Sequence, residues 1–113
     1  MDRLNRYRTL IKSHLSRVAK LVNQDPEPGV ETLCVFDEER DQYLLVRTGW
    51  SGQRRIRGIT LYVRLRDGKI CVEEDWTDDG IVDALTKAGV PNADLVLAFH
   101  SPEKRRRTER AVV

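Results

Sequence analysis

The sequence has few of the side chains from which catalytic and metal centres are built. Two histidines and two cysteines are spread over 113 residues. His14, His100, Cys34 and Cys71 show none of the close paired spacing of zinc sites, so neither a metal nor another cofactor is expected. The same distant cysteines offer no disulfide framework, which fits a reducing compartment. Long apolar runs are missing too. Nothing approaches the ~20 residues that a membrane-spanning helix requires, and the charged N-terminal residues lead into no apolar leader core. These absences predict a cytoplasmic protein with no membrane partner. A phosphate-cradling glycine loop is also lacking, because Gly49-Trp50-Ser51-Gly52 has neither the spacing nor the Lys-Ser/Thr end of one.

What is present is charge, at 34% of residues against a net of +2. Its distribution is uneven. Residues 1–22 hold six bases and one acid, 23–48 two bases and seven acids, and 49–66 five arginines and no acid. Residues 67–99 turn acidic again, and 100–113 turn basic through Lys104-Arg105-Arg106-Arg107. Alternation of this kind ties neighbouring elements together by complementary charge. It would instead build an anion-binding face if folding gathered the three basic blocks on one side.

Residue periodicity predicts one α+β domain over residues 1–113. Leu4, Tyr7, Ile11, Leu15 (or His14), Val18 and Val22 form an apolar stripe at three- and four-residue steps. That helix ends at Asn23, because Pro26, Pro28 and Gly29 forbid continuation. Leu33-Cys34-Val35-Phe36 and Tyr43-Leu44-Leu45-Val46 then alternate with a strand period about the tip Glu38-Glu39-Arg40-Asp41. The hairpin register sets Phe36 opposite Tyr43 and Cys34 opposite Leu45, with Leu33 and Val35 on the other face opposite Val46 and Leu44. Both faces are apolar, so one needs cover beyond the helix, from the C-terminal segment or from another chain, a second copy included.

A second hairpin runs through Ile59, Leu61, Val63 and Leu65 to the tight turn Asp67-Gly68 and back through Ile70 and Val72. Its outward face is expected to hold Tyr62, Arg64, Arg66, Lys69, Glu73 and Asp75. Thr77 or Asp78 can cap a short helix near residues 79–88 that Gly89 and Pro91 end. Leu95-Val96-Leu97-Ala98-Phe99 follows as a short strand or buried coil before a basic tail. The predicted architecture is a long N-terminal helix on a four-stranded antiparallel sheet.

The acids of the first hairpin tip read as solvated turn residues before they read as a divalent-ion site. Asp67-Gly68-Lys69 matches only the Asp-x-Lys fragment of a nuclease site, with Asp67 in the turn itself and no second acid aimed at it. No catalytic residue is therefore assigned, and a small metal-dependent nuclease is the weakest functional reading. Trp50 with Arg54 and Arg55 could stack on bases and clamp phosphate, or Trp50 could fold onto the core under an arginine. The Lys104–Arg107 run is either a solvated tail or a contact for phosphate or an acidic partner.

Several runs together resemble the XisI family. They are Tyr7-Arg8, Asp37 to Tyr43, Gly49-Trp50 with Arg54-Arg55, and Asp67-Gly68-Lys69-Ile70. Asp75, Thr77, Gly80 and Ile81 continue the pattern, followed by Ala88-Gly89-Val90-Pro91, Asp94, Phe99-His100-Ser101-Pro102, Arg105, Thr108 and Ala111. The chain departs from it at Cys71, Trp76 and Arg110. The resemblance implies a non-enzymatic controlling factor for excision of the fdxN element in cyanobacteria, acting with a XisH-type partner and, indirectly, a site-specific recombinase. Trp50, Arg54, Arg55, His100 and Arg105 are the expected partner- or nucleic-acid-binding residues. Direct DNA binding through the basic helix, the arginine-rich linker and the tail is the alternative.

Overall fold

The computed structural model describes residues 2–78 and 80–100. Helix α1 spans Arg3–Gln24 and starts where the Asp2 carboxylate accepts the Asn5 backbone N–H, an N-cap that satisfies one donor left open by the first turn. Tyr7, Ile11, His14, Leu15 and Ala19 are its buried residues. The stripe thus follows the expected spacing for four turns and then leaves the sheet, with Leu21 and Val22 exposed. Asn23 fixes that end: its amide donates to the Thr32 carbonyl at 3.0 Å and accepts the Thr32 N–H at 3.4 Å.

Five strands follow in one sheet, in the order β1 (Val30–Asp37), β2 (Gln42–Ser51), β3 (Arg54–Arg66), β4 (Lys69–Asp75), β5 (Leu95–Leu97). The first hairpin has the expected register, including Phe36 opposite Tyr43 and Cys34 opposite Leu45. The second pairs Leu65 with Ile70 and Val63 with Val72, also as expected. The sheet is five-stranded and mixed, not four-stranded and antiparallel. β5 runs parallel to β4, with Ile70 opposite Leu95, and the crossover that a parallel neighbour requires carries helix α2, Ile81–Lys87.

Two bulges overturn parts of the expected outward face. Leu45 pairs with Leu61 but Val46 pairs with Ile59, so Thr60 has no partner on β2. The extra residue shifts the side-chain phase, and Ile59 faces away from the helix instead of towards it. In β4, Val72 pairs with Val63 but Glu74 pairs with Tyr62. Asp75 therefore points to the helix side. Its carboxylate accepts the Ile81 N–H at 2.7 Å and the Thr77 N–H at 2.9 Å, and the Thr77 hydroxyl as well. The cap of α2 is this distant aspartate, not Thr77 or Asp78, and the N-cap position is Gly80 at φ +65°.

The core lies between α1 with α2 and the inner face of the sheet. Ile11, Leu15, Tyr43, Leu45, Leu61, Val63, Ile70, Val72, Ile81 and Leu95 are all fully buried in it. No helix among the described residues is long and apolar enough to cross a membrane.

Candidate functional site

Most residues that carry the family resemblance have structural duties. Arg8 donates two bonds to the Asp41 carboxylate, at 2.7 and 3.0 Å, and the buried Tyr43 hydroxyl donates a third at 2.8 Å. The arginine beside it holds the Asp41 carboxyl below the usual carboxylate range despite partial burial. Burial, then the neighbouring carboxylate, raises Tyr43 well above an ordinary phenol. Asp37 accepts the Arg40 N–H at 3.1 Å and the Arg40 guanidinium at 3.1 Å, which lowers its pKa and closes the turn. Lys12 meets Glu38 at 2.6 Å. Asp37, Glu38 and Asp41 of the first hairpin tip are thus committed to the basic back of α1 and to their own turn. Asp94 accepts the Tyr7 hydroxyl, and Arg6 donates to the Ala88 carbonyl just before Gly89.

The linker between the hairpins has a different character. It is a continuous extension of β2 and β3 closed by a turn, with Trp50 opposite Arg55 and Ser51 opposite Arg54. Gly49 is required there by close approach. A Cβ on it would lie 2.0 Å from the Gly29 carbonyl oxygen, at a φ of +146° that favours glycine. That carbonyl accepts the Trp50 N–H at 2.9 Å. The Trp50 ring is 53% exposed, so it does not fold onto the core. The arginine-over-ring half of that expectation holds, with the Arg55 guanidinium 5.3 Å from the ring centroid. Arg55 also donates to the Gly49 carbonyl at 3.1 Å.

Trp50 and Arg55 therefore come together on the outer face of the hairpin end, whereas Arg54, exposed and opposite Ser51, points to the other face. His100 does not join them. It follows β5 at the opposite edge of the sheet, its ring edge-on to Phe99 at 4.4 Å. Arg105 and the Lys104–Arg107 run lie outside the described residues. The basic blocks are not gathered on one face either. The cations of α1 sit on the helix side of the sheet, whereas Arg55, Arg57 and Arg64 share the outer face. Ion pairs join blocks of opposite sign instead, among them Arg8–Asp41, Lys12–Glu38 and Arg64–Glu73.

His14 is 6% exposed and meets the Arg17 guanidinium at 3.0 Å from Nδ1, a packed histidine as its place on the stripe predicts. Asp67 sits in the β3–β4 turn at φ +55°, with Arg66 3.9 Å away. Among the described residues no three His, Cys, Asp or Glu side chains converge as metal ligands would.

Two apolar surfaces add to the sequence-based site. One is a cleft of about 380 Å³ where α1 leaves the sheet, bordered by Val18, Leu21, Val22, Leu45 and Trp76. The adjacent Leu21-Val22 pair, which breaks single-stripe spacing, was the available signal. The other is the outer face of the first three strands, where Leu33, Val35 and Ile59 are 44%, 48% and 36% exposed. The sequence pointed to Leu33 and Val35, and the bulge adds Ile59.

A mixed sheet with one long covering helix, and motif residues spent on joining the two, defines a small α+β scaffold with an aromatic–arginine hairpin end. The family described as XisI protein matches residues 1–112, and the chain belongs to that family. It is similar to the crystal structure of the fdxN element excision controlling factor XisI from Anabaena variabilis. Identity is 40% and the TM-score 0.87, over 99% of this chain and 100% of that one. It is also similar to a XisI-like protein of the same organism, at 32% identity and a TM-score of 0.90 over 97% and 99% of the two chains. No curated protein matches it.

Proposed function

We propose that the protein is a non-enzymatic controlling factor for excision of a DNA element, working in the cytoplasm with a XisH-type protein and through it with a site-specific recombinase. Family membership and the 40% identity to an excision controlling factor support the biological role. The observation that carries the mode of action is the exposed Trp50 ring, held by Arg55 at a hairpin end that also presents Arg54 on its other face and is packed closely against Gly29. Tryptophan and arginine dominate the energetics of protein interfaces, most of all when pre-organised. His100 and Arg105 join the partner surface on the resemblance alone. The reading as a non-enzyme is supported by what the acids do: Asp37, Asp41, Asp75 and Asp94 accept bonds from the fold's own donors.

Co-expression with a XisH-type protein is expected to give a complex on size-exclusion chromatography that Trp50→Ala together with Arg54→Ala abolishes. Separate elution of the wild-type proteins sinks the proposal. Direct DNA binding is less well supported, because α1 and β3 carry their cations on opposite sides of the sheet. It predicts affinity for duplex DNA that falls steeply with salt. Absence of binding at low salt removes it.

A further inference from the structure

The outer face of β1–β3 has an order that its apolar character alone does not require. Four rows of paired residues cross it. Glu31, Thr48 and Arg57 form the first row; Leu33, Val46 and Ile59 the second. Val35, Leu44 and Tyr62 form the third; Asp37, Gln42 and Arg64 the fourth. Apolar side chains thus fill the middle, acids stand at both ends on β1, and arginines stand at both ends on β3. Leu33 and Val35 are nearly half exposed at the centre of this pattern. Glu31 and Arg57 are both exposed and make no ion pair among the described residues.

We infer that this face binds a second copy of the chain, sheet on sheet, about a two-fold axis that runs along β2. Rotation about that axis lays β1 of one copy over β3 of the other. Glu31 then meets Arg57, Leu33 meets Ile59 and Val35 meets Tyr62, each contact made twice as a two-fold interface requires. Asp37 is set over Arg64 as well, but each already has a partner in its own chain, Arg40 and Glu73, so the Glu31–Arg57 row carries the charge match. Val46 and Leu44 on the axis meet their own counterparts. The other two-fold stacking, about an axis across the strands, sets β1 on β1 and brings Glu31 against Asp37, acid on acid. Charge therefore selects one stacking, and aligned sheets packed about 10 Å apart are the common geometry for it. A foreign partner would have to present a basic column over β1 and an acidic one over β3. The chain already carries that complement of itself.

The test uses the isolated protein, so its outcome is separate from whether a XisH-type partner binds. Light scattering and sedimentation across micromolar concentrations are expected to give twice the 13.1 kDa chain mass. Val46→Glu puts two carboxylates face to face at the axis and is expected to give monomer with an unchanged circular dichroism spectrum. Glu31→Arg and Arg57→Glu are each expected to weaken dimerisation about tenfold, and the double variant to restore it, because each then meets the other across the axis. A wild type that stays monomeric overturns the inference, as does a folded Val46→Glu that stays dimeric. A double variant no tighter than the singles also overturns it. The charge swap decides alone if Val46→Glu fails to fold.

Discussion

Arg8 of the long helix grips Asp41 of the first hairpin turn through two hydrogen bonds of 2.7 and 3.0 Å. Asp41 stands at φ +53°, and its carbonyl accepts the Leu65 N–H at 3.0 Å. One residue in an uncommon backbone region thus joins α1, the β1–β2 turn and β3.

A pH dependence follows. The Asp41 carboxyl titrates below its ordinary value in the folded chain, first because of its bonds to Arg8. Its contribution is complete above the unfolded-state value near ~3.9 and is lost as pH falls through the folded value. Wild type should lose stability to urea progressively below about pH 4. Asp41→Asn should be less stable at neutral pH and flatter in that acid window, with Asp37, also depressed, supplying the remaining slope.

Gly49→Ala is expected to destabilise the fold by about 3 kcal/mol, from backbone strain and the Gly29 carbonyl in the path of the new methyl. Gly58→Ala, whose added Cβ meets nothing within 4 Å, should stay within about 0.5 kcal/mol of wild type. Urea unfolding of both separates a glycine needed for close approach from one that is not.

Asp75→Ala removes the acceptor of the Ile81 N–H and the Thr77 N–H together. A loss of about 1–3 kcal/mol is expected. Amide exchange should accelerate first at Ile81 and along α2, before the β2–β3 ladder responds.

Both tryptophans are exposed, Trp50 by 53% and Trp76 by 76%. Native emission should lie near that of tryptophan in water and change little on unfolding. In a Trp76→Phe variant, partner binding should shift the remaining Trp50 emission to the blue. Trp50→Ala should leave stability within about 1 kcal/mol of wild type, since no core contact is lost.

Much of this fold was legible because short tips and period-two alternation fix hairpin register. The pairs Phe36–Tyr43 and Leu65–Ile70 followed from the residues alone. The bulge at Thr60 did not, because Ile59-Thr60-Leu61 alternates without a break and only pairing reveals the extra residue. β5 is three residues long, too short for periodicity to separate strand from coil. The cap of α2 comes from Asp75, six residues before Ile81, outside the window in which caps are sought. Of the sequence-based site, the closeness of Trp50 and Arg55 was legible through nearness in the chain, whereas strand alternation turns Arg54 to the other face. His100 is distant because the crossover through α2 carries it to the far edge of the sheet.

The unpaired Thr60 acts on β3 as a phase change. Odd-numbered residues on both sides of it are alike in parity, yet Leu61, Val63 and Leu65 serve the interior while Arg55, Arg57 and Ile59 serve the opposite side. The extra residue is what lets side chains of one parity serve both sides; without Thr60, Ile59 and Leu61 would follow each other directly and keep the sides they now have. A Thr60 deletion should therefore leave Arg55, Arg57 and Ile59 facing outward. Its cost should come from the lost bulge and from the Thr60 carbonyl that accepts the Trp76 N–H at 2.9 Å.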